Sequence, residues 1–180
     1  AANRMMWMID DLLNVSKLEA GELQLTLKPI YLPAFLAEKQ ETYLALVAAE
    51  DKTLTIHAPA ELPMIMADVE MLDRVFDNLI DNAIKYTSTG GHIDVTAEVQ
   101  DQTVTLRVSD DGEGILPKDH NRIFDKFVQG TTSDSRMPRH GTGLGLAFCR
   151  LAILAHGGTI TASGEPGRGA TFTITLPVGR

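Results

Sequence analysis

The spacing of apolar residues divides this chain into amphipathic helices and alternating strands. Met5, Met8, Ile9, Leu12, Leu13 and Val15 fall mostly on one stripe, which predicts a helix over Asn3–Ala20. Gly21 stands where such a helix needs a left-handed residue to stop. A lone amphipathic helix has nothing of its own to bury against. It is either a terminal helix docked on the domain or one member of a bundle. Leu23–Ile30 alternates as a strand, and Pro33 opens a helix that runs to about Glu50. Leu54–His57 and Met64–Met66 read as short strands. Asp68 is a good N-cap for a helix to about Tyr86, with Val69, Leu72, Val75, Phe76, Leu79, Ile80, Ala83 and Ile84 as its apolar stripe. Ile93–Val99 and Val104–Val108 alternate as a hairpin about Asp101-Gln102. A short helix is predicted near Asn121–Phe124 and a longer one over Leu144–Ala155, ended by Gly157-Gly158. Thr159–Ser163 and Thr171–Leu176 close the chain as strands. The polar, unpatterned stretch Gln129–His140 reads as a long loop of the kind that serves as a lid. The sum is a two-layer α/β sandwich, with a mixed, largely antiparallel sheet and helices on one face.

Composition narrows the class. The 180 residues suffice for one ordinary domain plus an appendage, and a hydrophobic fraction of 44% permits a real core. Apolar runs such as Leu44–Ala49 are far too short to cross a bilayer, and no signal-peptide pattern is present. Cys149 is the only cysteine, which excludes an internal disulfide and fits a reducing compartment. A net charge of −8 argues against a nucleic-acid partner. It leaves room for a small polyanion, because backbone N–H groups bind phosphate whatever the net charge.

Three motifs carry candidate chemistry. Asn78, Asn82 and Lys85 share a helix face opposite the apolar stripe. A solvated polar face would explain them. Yet asparagine is a mediocre helix former, and its carboxamide oxygen is a hard ligand suited to Mg²⁺. Asp110-Asp111-Gly112-Glu113-Gly114 ends a strand; its Asp could accept a hydrogen bond from an exocyclic amine such as adenine's, or the segment is simply a turn. Gly141-Thr142-Gly143-Leu144-Gly145-Leu146 opens a helix whose free N–H groups suit an anion. It is neither a phosphate-loop Gly-Lys-Ser/Thr motif nor a dinucleotide fingerprint.

Each motif is ambiguous alone, but their order is not. Asn78–Tyr86, then Asp-x-Gly-x-Gly, then Phe124-Asp125-Lys126-Phe127, then Gly-Thr-Gly-Leu-Gly-Leu resembles the histidine kinases of two-component systems. Ser163–Gly169 resembles their final Gly-rich turn, and Leu12–Gly21 the end of the dimerisation helix before the ATP-binding domain. The resemblance covers essentially the whole chain. It implies the Bergerat-type ATP-binding sandwich shared with type II topoisomerase, mismatch-repair and heat-shock chaperone ATPases. It divides the chain into residues 1–21, the end of the dimerisation helix, and 22–180, the catalytic domain. By this resemblance Asn82 ligates Mg²⁺ with Asn78 assisting, Asp110 reads the adenine amine, and Lys85 and Tyr86 line the nucleotide. Gly112, Gly114 and Ile115 belong to the adenine loop, and Gly141, Thr142, Gly143, Leu144, Gly145 and Leu146 wrap the phosphates. Lys126 adds positive charge, and Thr171 supports the adenine-binding carboxylate through water. Asp111 stands where Asn is commoner and His140 where Gly is commoner.

The related hydrolases place a Glu base four residues before the metal-binding Asn; here that position is Asn78, and a carboxamide cannot take a proton from water. Phosphoryl transfer to a protein histidine is therefore favoured over hydrolysis. None of His57, His92, His120, His140 and His156 sits in an acceptor context, so the phosphoacceptor is expected outside this chain. The implied cofactors are ATP and Mg²⁺. The implied partners are an upstream histidine-bearing dimerisation domain, a response-regulator receiver domain and a second copy of the full-length protein. The implied location is cytoplasmic, with any membrane anchor elsewhere in the full-length protein. Two other readings stay open: a non-catalytic nucleotide-binding signalling module, and a serine kinase of the same fold.

Overall fold

The computed structural model describes residues 12–128 and 142–179. Residues 12–19 are helical (α1). The helix stops as the sequence predicts. Gly21 is left-handed at φ +66, its N–H donates to the Leu18 carbonyl, and the Glu22 N–H donates to the Lys17 carbonyl. The predicted start of this helix lies outside the described residues, as does the predicted loop over Gln129–His140. Helix α2, Leu32–Ala49, carries Pro33 in its first turn, where a missing N–H costs nothing. Helix α3, Val69–Tyr86, begins at Asp68, whose Oδ1 accepts from the N–H groups of Glu70 and Met71 at 3.2 Å each. Helix α4 spans Gly145–Ala155. No helix among the described residues is long and apolar enough to cross a membrane.

The leading strand is shorter than its alternation predicts. Only Lys28–Ile30 (β1) pairs, antiparallel to Ile65–Ala67 (β3). That partner is three residues long, and the Thr26 N–H goes to the Asp68 carboxylate at 2.8 Å instead of a ladder. The main sheet has the order β2 (Thr53–His57), β4 (His92–Gln100), β5 (Thr103–Asp110), β7 (Ala170–Pro177), β6 (Thr159–Gly164). Its pairs are antiparallel except β2–β4. A parallel neighbour cannot be reached by a tight turn, and here the chain returns through β3 and α3. Two 3₁₀ turns, Pro117–Asp119 and Arg122–Phe124, follow β5. The second occupies the short helix expected there; the first is additional.

Alternation separates the two faces of the sheet. Ile93, Val95, Val104, Leu106, Val108, Phe172 and Ile174 are buried against the helical layer. Asp94, Thr96, Thr105, Arg107, Ser109, Thr171 and Thr173 on the other face stay partly exposed. The predicted sandwich with helices on one side is what forms.

Two polar contacts set α3 in place. On its outer side Lys39, buried to 7% exposure, donates to Asp77 Oδ1 at 2.7 Å, and the Tyr43 hydroxyl donates to the same oxygen at 2.7 Å. At its start, the Asp68 N–H donates to His156 Nε2 at 2.9 Å, while His156 Nδ1–H donates back to the Ala152 carbonyl at 2.7 Å. Those two bonds define one neutral tautomer and tie the end of α4 to the start of α3. His156→Leu should therefore cost about 1–3 kcal/mol, because it leaves a buried N–H unpaired. Urea unfolding should show a lower midpoint with an unchanged slope.

Candidate functional site

The site builds outward from the C-terminal half of α3. Asn78 donates from Nδ2 to the Arg74 carbonyl of its own helix at 2.9 Å. Its Oδ1 faces the first residue of α4: a Cβ added at Gly145 would lie 2.6 Å from that oxygen. Glycine is thus what lets α4 start against α3. Asn82, half-buried one turn on, makes no side-chain hydrogen bond to any described residue. The Lys85 ammonium lies 5.0 Å from the centroid of the Tyr86 ring, an exposed cation–π contact at the helix end.

The Asp110 loop closes on that same end. The Glu113 N–H donates to the Tyr86 carbonyl at 3.2 Å, and a Cβ on Gly112 would collide with that carbonyl. Asp110 Oδ1 accepts from the Gly112 N–H at 2.9 Å and more weakly from the Ala170 N–H at 3.4 Å. No described residue hydrogen-bonds its Oδ2, so one acceptor stays open. Burial pushes the Asp110 carboxyl above the ordinary aspartate range. The two N–H groups pull the other way, and the charge of Asp111 adds to the rise. Gly114 holds φ +76 with no room for a Cβ beneath the Glu165 carbonyl. Ile115 packs against the core.

The third element is the start of α4. The Leu144 N–H donates to Thr142 Oγ1 at 3.2 Å, Leu144 is buried, and Leu146 packs against the core. No side chain of a described residue caps the first turn, and N–H groups at such a helix start can receive an anion. The Phe127 N–H donates to the Gly143 carbonyl at 2.9 Å, which joins the Phe-x-x-Phe segment to this end. Gly141 lies outside the described residues. Asn78, Asn82, Lys85, Tyr86, Asp110, Gly112, Gly114, Gly143 and Gly145 are therefore brought to one region.

Two expected residues stand elsewhere. Thr171 pairs with Ser109, not Asp110, and their hydroxyls meet at 3.0 Å. That places Thr171 on the helix-free face of the sheet, so the expectation that it supports the Asp110 carboxylate is corrected: Ala170 is the residue opposite Asp110. Lys126 does not point freely toward the phosphate end; its Nζ is paired with Glu19 Oε2 at 2.8 Å.

Sequence reasoning missed other contributors. The turn between β6 and β7 is laced to the Asp110 loop, with the Gly167 N–H on the Glu113 carbonyl and the Gly169 N–H on the Gly112 carbonyl. The glycines of Ser163–Gly169 signalled a turn but not what it touches. The Arg74 guanidinium lies 4.3 Å from the centroid of the Phe148 ring, bracing α4 on α3. Its spacing one turn before Asn78 was the available signal.

Residues 67–180 match the family described as histidine kinase-, DNA gyrase B- and HSP90-like ATPases. The chain is 36% identical over 176 residues to the alginate biosynthesis sensor protein KinB of Pseudomonas aeruginosa, covering 98% of this chain and 29% of that protein. It is 37% identical over 174 residues to the adaptive-response sensory kinase SasA of Crocosphaera subtropica, covering 96% of this chain and 45% of that one. The chain thus spans less than half the length of these relatives. Among solved structures, full-length ShkA in complex with AMPPNP superposes with a TM-score of 0.85 at 30% identity, over 97% of this chain and 36% of that one. The nucleotide-free catalytic domain of histidine kinase ThkA superposes with a TM-score of 0.72 at 26% identity, over 85% and 96%. With the Asn-bearing helix, the Asp-Gly loop and the Gly-rich helix start converging as described, the chain belongs to this ATPase family, and its fold matches that of histidine kinase catalytic domains.

Proposed function

We propose that this domain binds ATP with Mg²⁺ and transfers the γ-phosphoryl group to a histidine on a dimerisation domain outside this chain. In this reading residues 1–21 are the end of the dimerisation helix and 22–180 the catalytic domain. The full-length protein works as a homodimer and passes the phosphoryl group to a response-regulator receiver. The left-handed stop at Gly21 supports that boundary.

The site's shape and donors fit the implied ligands. Backbone from two glycine-bearing loops closes around Asp110, where a Cβ at Gly112 or Gly169 would intrude, and its Oδ2 takes no hydrogen bond from a described residue. It would accept from the adenine amine. Asn82 would hold Mg²⁺ through its carboxamide oxygen with Asn78 beside it. Among the described residues no cluster of three His, Cys, Asp or Glu side chains could form a metal cage. That suits an ion which keeps waters and shares phosphate oxygens. When bound, Mg²⁺ neutralises phosphate charge. The first turn of α4 would receive the phosphates on its N–H groups, and Lys85 would add positive charge.

One observation carries the choice of transfer over hydrolysis. Asn78 stands where a water-activating base would be, and both ends of its carboxamide face protein: Nδ2 on the Arg74 carbonyl, Oδ1 toward Gly145. Positioning and charge neutralisation then remain the enzyme's tasks. Three of the four described histidines are engaged within the fold, which supports an external acceptor. His156 uses both ring nitrogens inside the fold, His92 lies against the hydroxyls of Thr53 and Thr55, and His120 Nε2 is bonded to the Gly164 carbonyl.

The test is to incubate the chain with γ-labelled ATP and Mg²⁺, alone and with a separate histidine-bearing helical domain. We expect acid-labile label on the added domain, none on the chain and little free phosphate. Acid-stable label on serine, or no transfer with intact ATP binding, would replace this reading by the serine-kinase or signalling-module alternative. Rapid phosphate release would show that a group other than residue 78 activates water.

A further inference from the structure

We propose that Glu19 is an autoinhibitory latch, which holds Lys126 away from the phosphates of bound ATP until α1 moves. This rests on the nucleotide site proposed above. Val15, Leu18 and Glu19 lie at i, i+3 and i+4 on one face of α1. Val15 is 1% exposed and belongs to the domain's core, and Leu18 packs against that core. The Gly21 stop ends the helix two residues after Glu19. The carboxylate is thus delivered to the domain by packing, and it meets Lys126 at 2.8 Å across 107 residues of sequence.

Lys126 is brought by its neighbour beside the start of α4, the phosphate end in this reading. It precedes Phe127, which takes a left-handed φ of +64, is 64% exposed and donates its N–H to the Gly143 carbonyl. Gly143 in turn has its missing Cβ position 2.7 Å from Phe127 Cα, so the two segments are in backbone contact. Beside the ion pair an open cleft of about 430 Å³ is lined by Glu19, Phe124, Lys126, Phe127, Arg150 and Leu151. A lysine side chain can swing there. Both partners of the pair are nearly half exposed, so the bond is weak and a triphosphate can compete for the ammonium. The latch therefore sets a threshold for nucleotide rather than a block. Because the coupling is reciprocal, ATP binding also loosens α1.

The experiment is calorimetric titration of Mg·ATP into the parent chain, E19Q, K126Q and the double variant, with E22Q as a control for helix charge. Glu19→Gln should bind Mg·ATP about two- to fivefold more tightly, the range of an exposed ion pair, and the gain should shrink at high salt. Lys126→Gln should bind more weakly than the parent, and adding E19Q to it should change nothing further. Glu22→Gln should match the parent. An unchanged affinity in E19Q, a gain that survives in the K126Q background, or an equal gain in E22Q would overturn the latch while leaving the nucleotide site intact. Failure of every chain, the parent included, to bind Mg·ATP would overturn the nucleotide site itself, and the latch with it.

Discussion

Asn82→Ala should abolish Mg²⁺-dependent nucleotide binding while the domain stays folded. The substitution removes the one carboxamide of this site that no described residue occupies. Loss of an outer partner of a metal ligand typically costs 10–100-fold in affinity, so loss of the ligand itself should exceed about 100-fold. Stability should barely move. No hydrogen bond to a described residue is lost, and alanine is the better helix former by some tenths of a kcal/mol. Calorimetry with ATP checks both halves of the claim. In Mg²⁺ the variant should show no saturable binding at concentrations that fill the parent. With the metal chelated, the two chains should bind alike. Equal affinities in Mg²⁺ would remove Asn82 from the metal site.

Asp110→Asn should separate recognition from stability. The open Oδ2 is a full acceptor while the carboxyl is ionised; with two N–H groups held on Oδ1, Oδ2 is the oxygen that takes the proton and then points a donor at the ligand. An amide can present N–H against the adenine amine, donor to donor, which costs about 1–3 kcal/mol, or roughly 5- to 150-fold in affinity. The fold should respond in the opposite sense. Burial raises the Asp110 pKa in the native state, so the native protein holds this proton more tightly than the unfolded chain. Its contribution to stability is favourable below the ordinary aspartate pKa and is lost as pH rises through the native value. At neutral pH the charged group is a burden, and the neutral amide should leave the melting temperature unchanged or raised. The same titration predicts a pH signature. The affinity gap between parent and variant should narrow as pH falls through the native Asp110 pKa, in a range above that of an exposed aspartate. A gap independent of pH, or a parent that binds guanine nucleotides as well as adenine ones, would take the adenine contact away from Asp110.

Much of the fold could be read locally because local rules produced it. The α3 stripe, the Asp68 cap, the hairpin at Asp101-Gln102 and the stop at Gly21 each depend on residues within a few positions of one another. The site's donor set was legible for the same reason. Asn78 and Asn82 share a helix face by periodicity alone, and the glycines of the Asp110 loop and of the α4 start mark close backbone approach.

What tertiary structure alone decided lies in contacts between distant residues. Alternation predicts a strand over Leu23–Ile30 but says nothing of the partner's length, and only Lys28–Ile30 found one. Nothing local makes β2 parallel to β4, since that pairing depends on how β3 and α3 carry the chain back. Register decided which residue faces Asp110. A one-residue offset exchanges the faces of a strand, so Ala170 stands opposite the carboxylate while Thr171 meets Ser109 on the far side. The family resemblance implies Lys126 as added positive charge at the site, yet packing of Val15 and Leu18 brings Glu19 to it. Types of residue set what chemistry the chain can perform. Which of them meet is set by registers and packing between segments far apart in sequence, whose energies come from burial and have no signature in any short window of the chain.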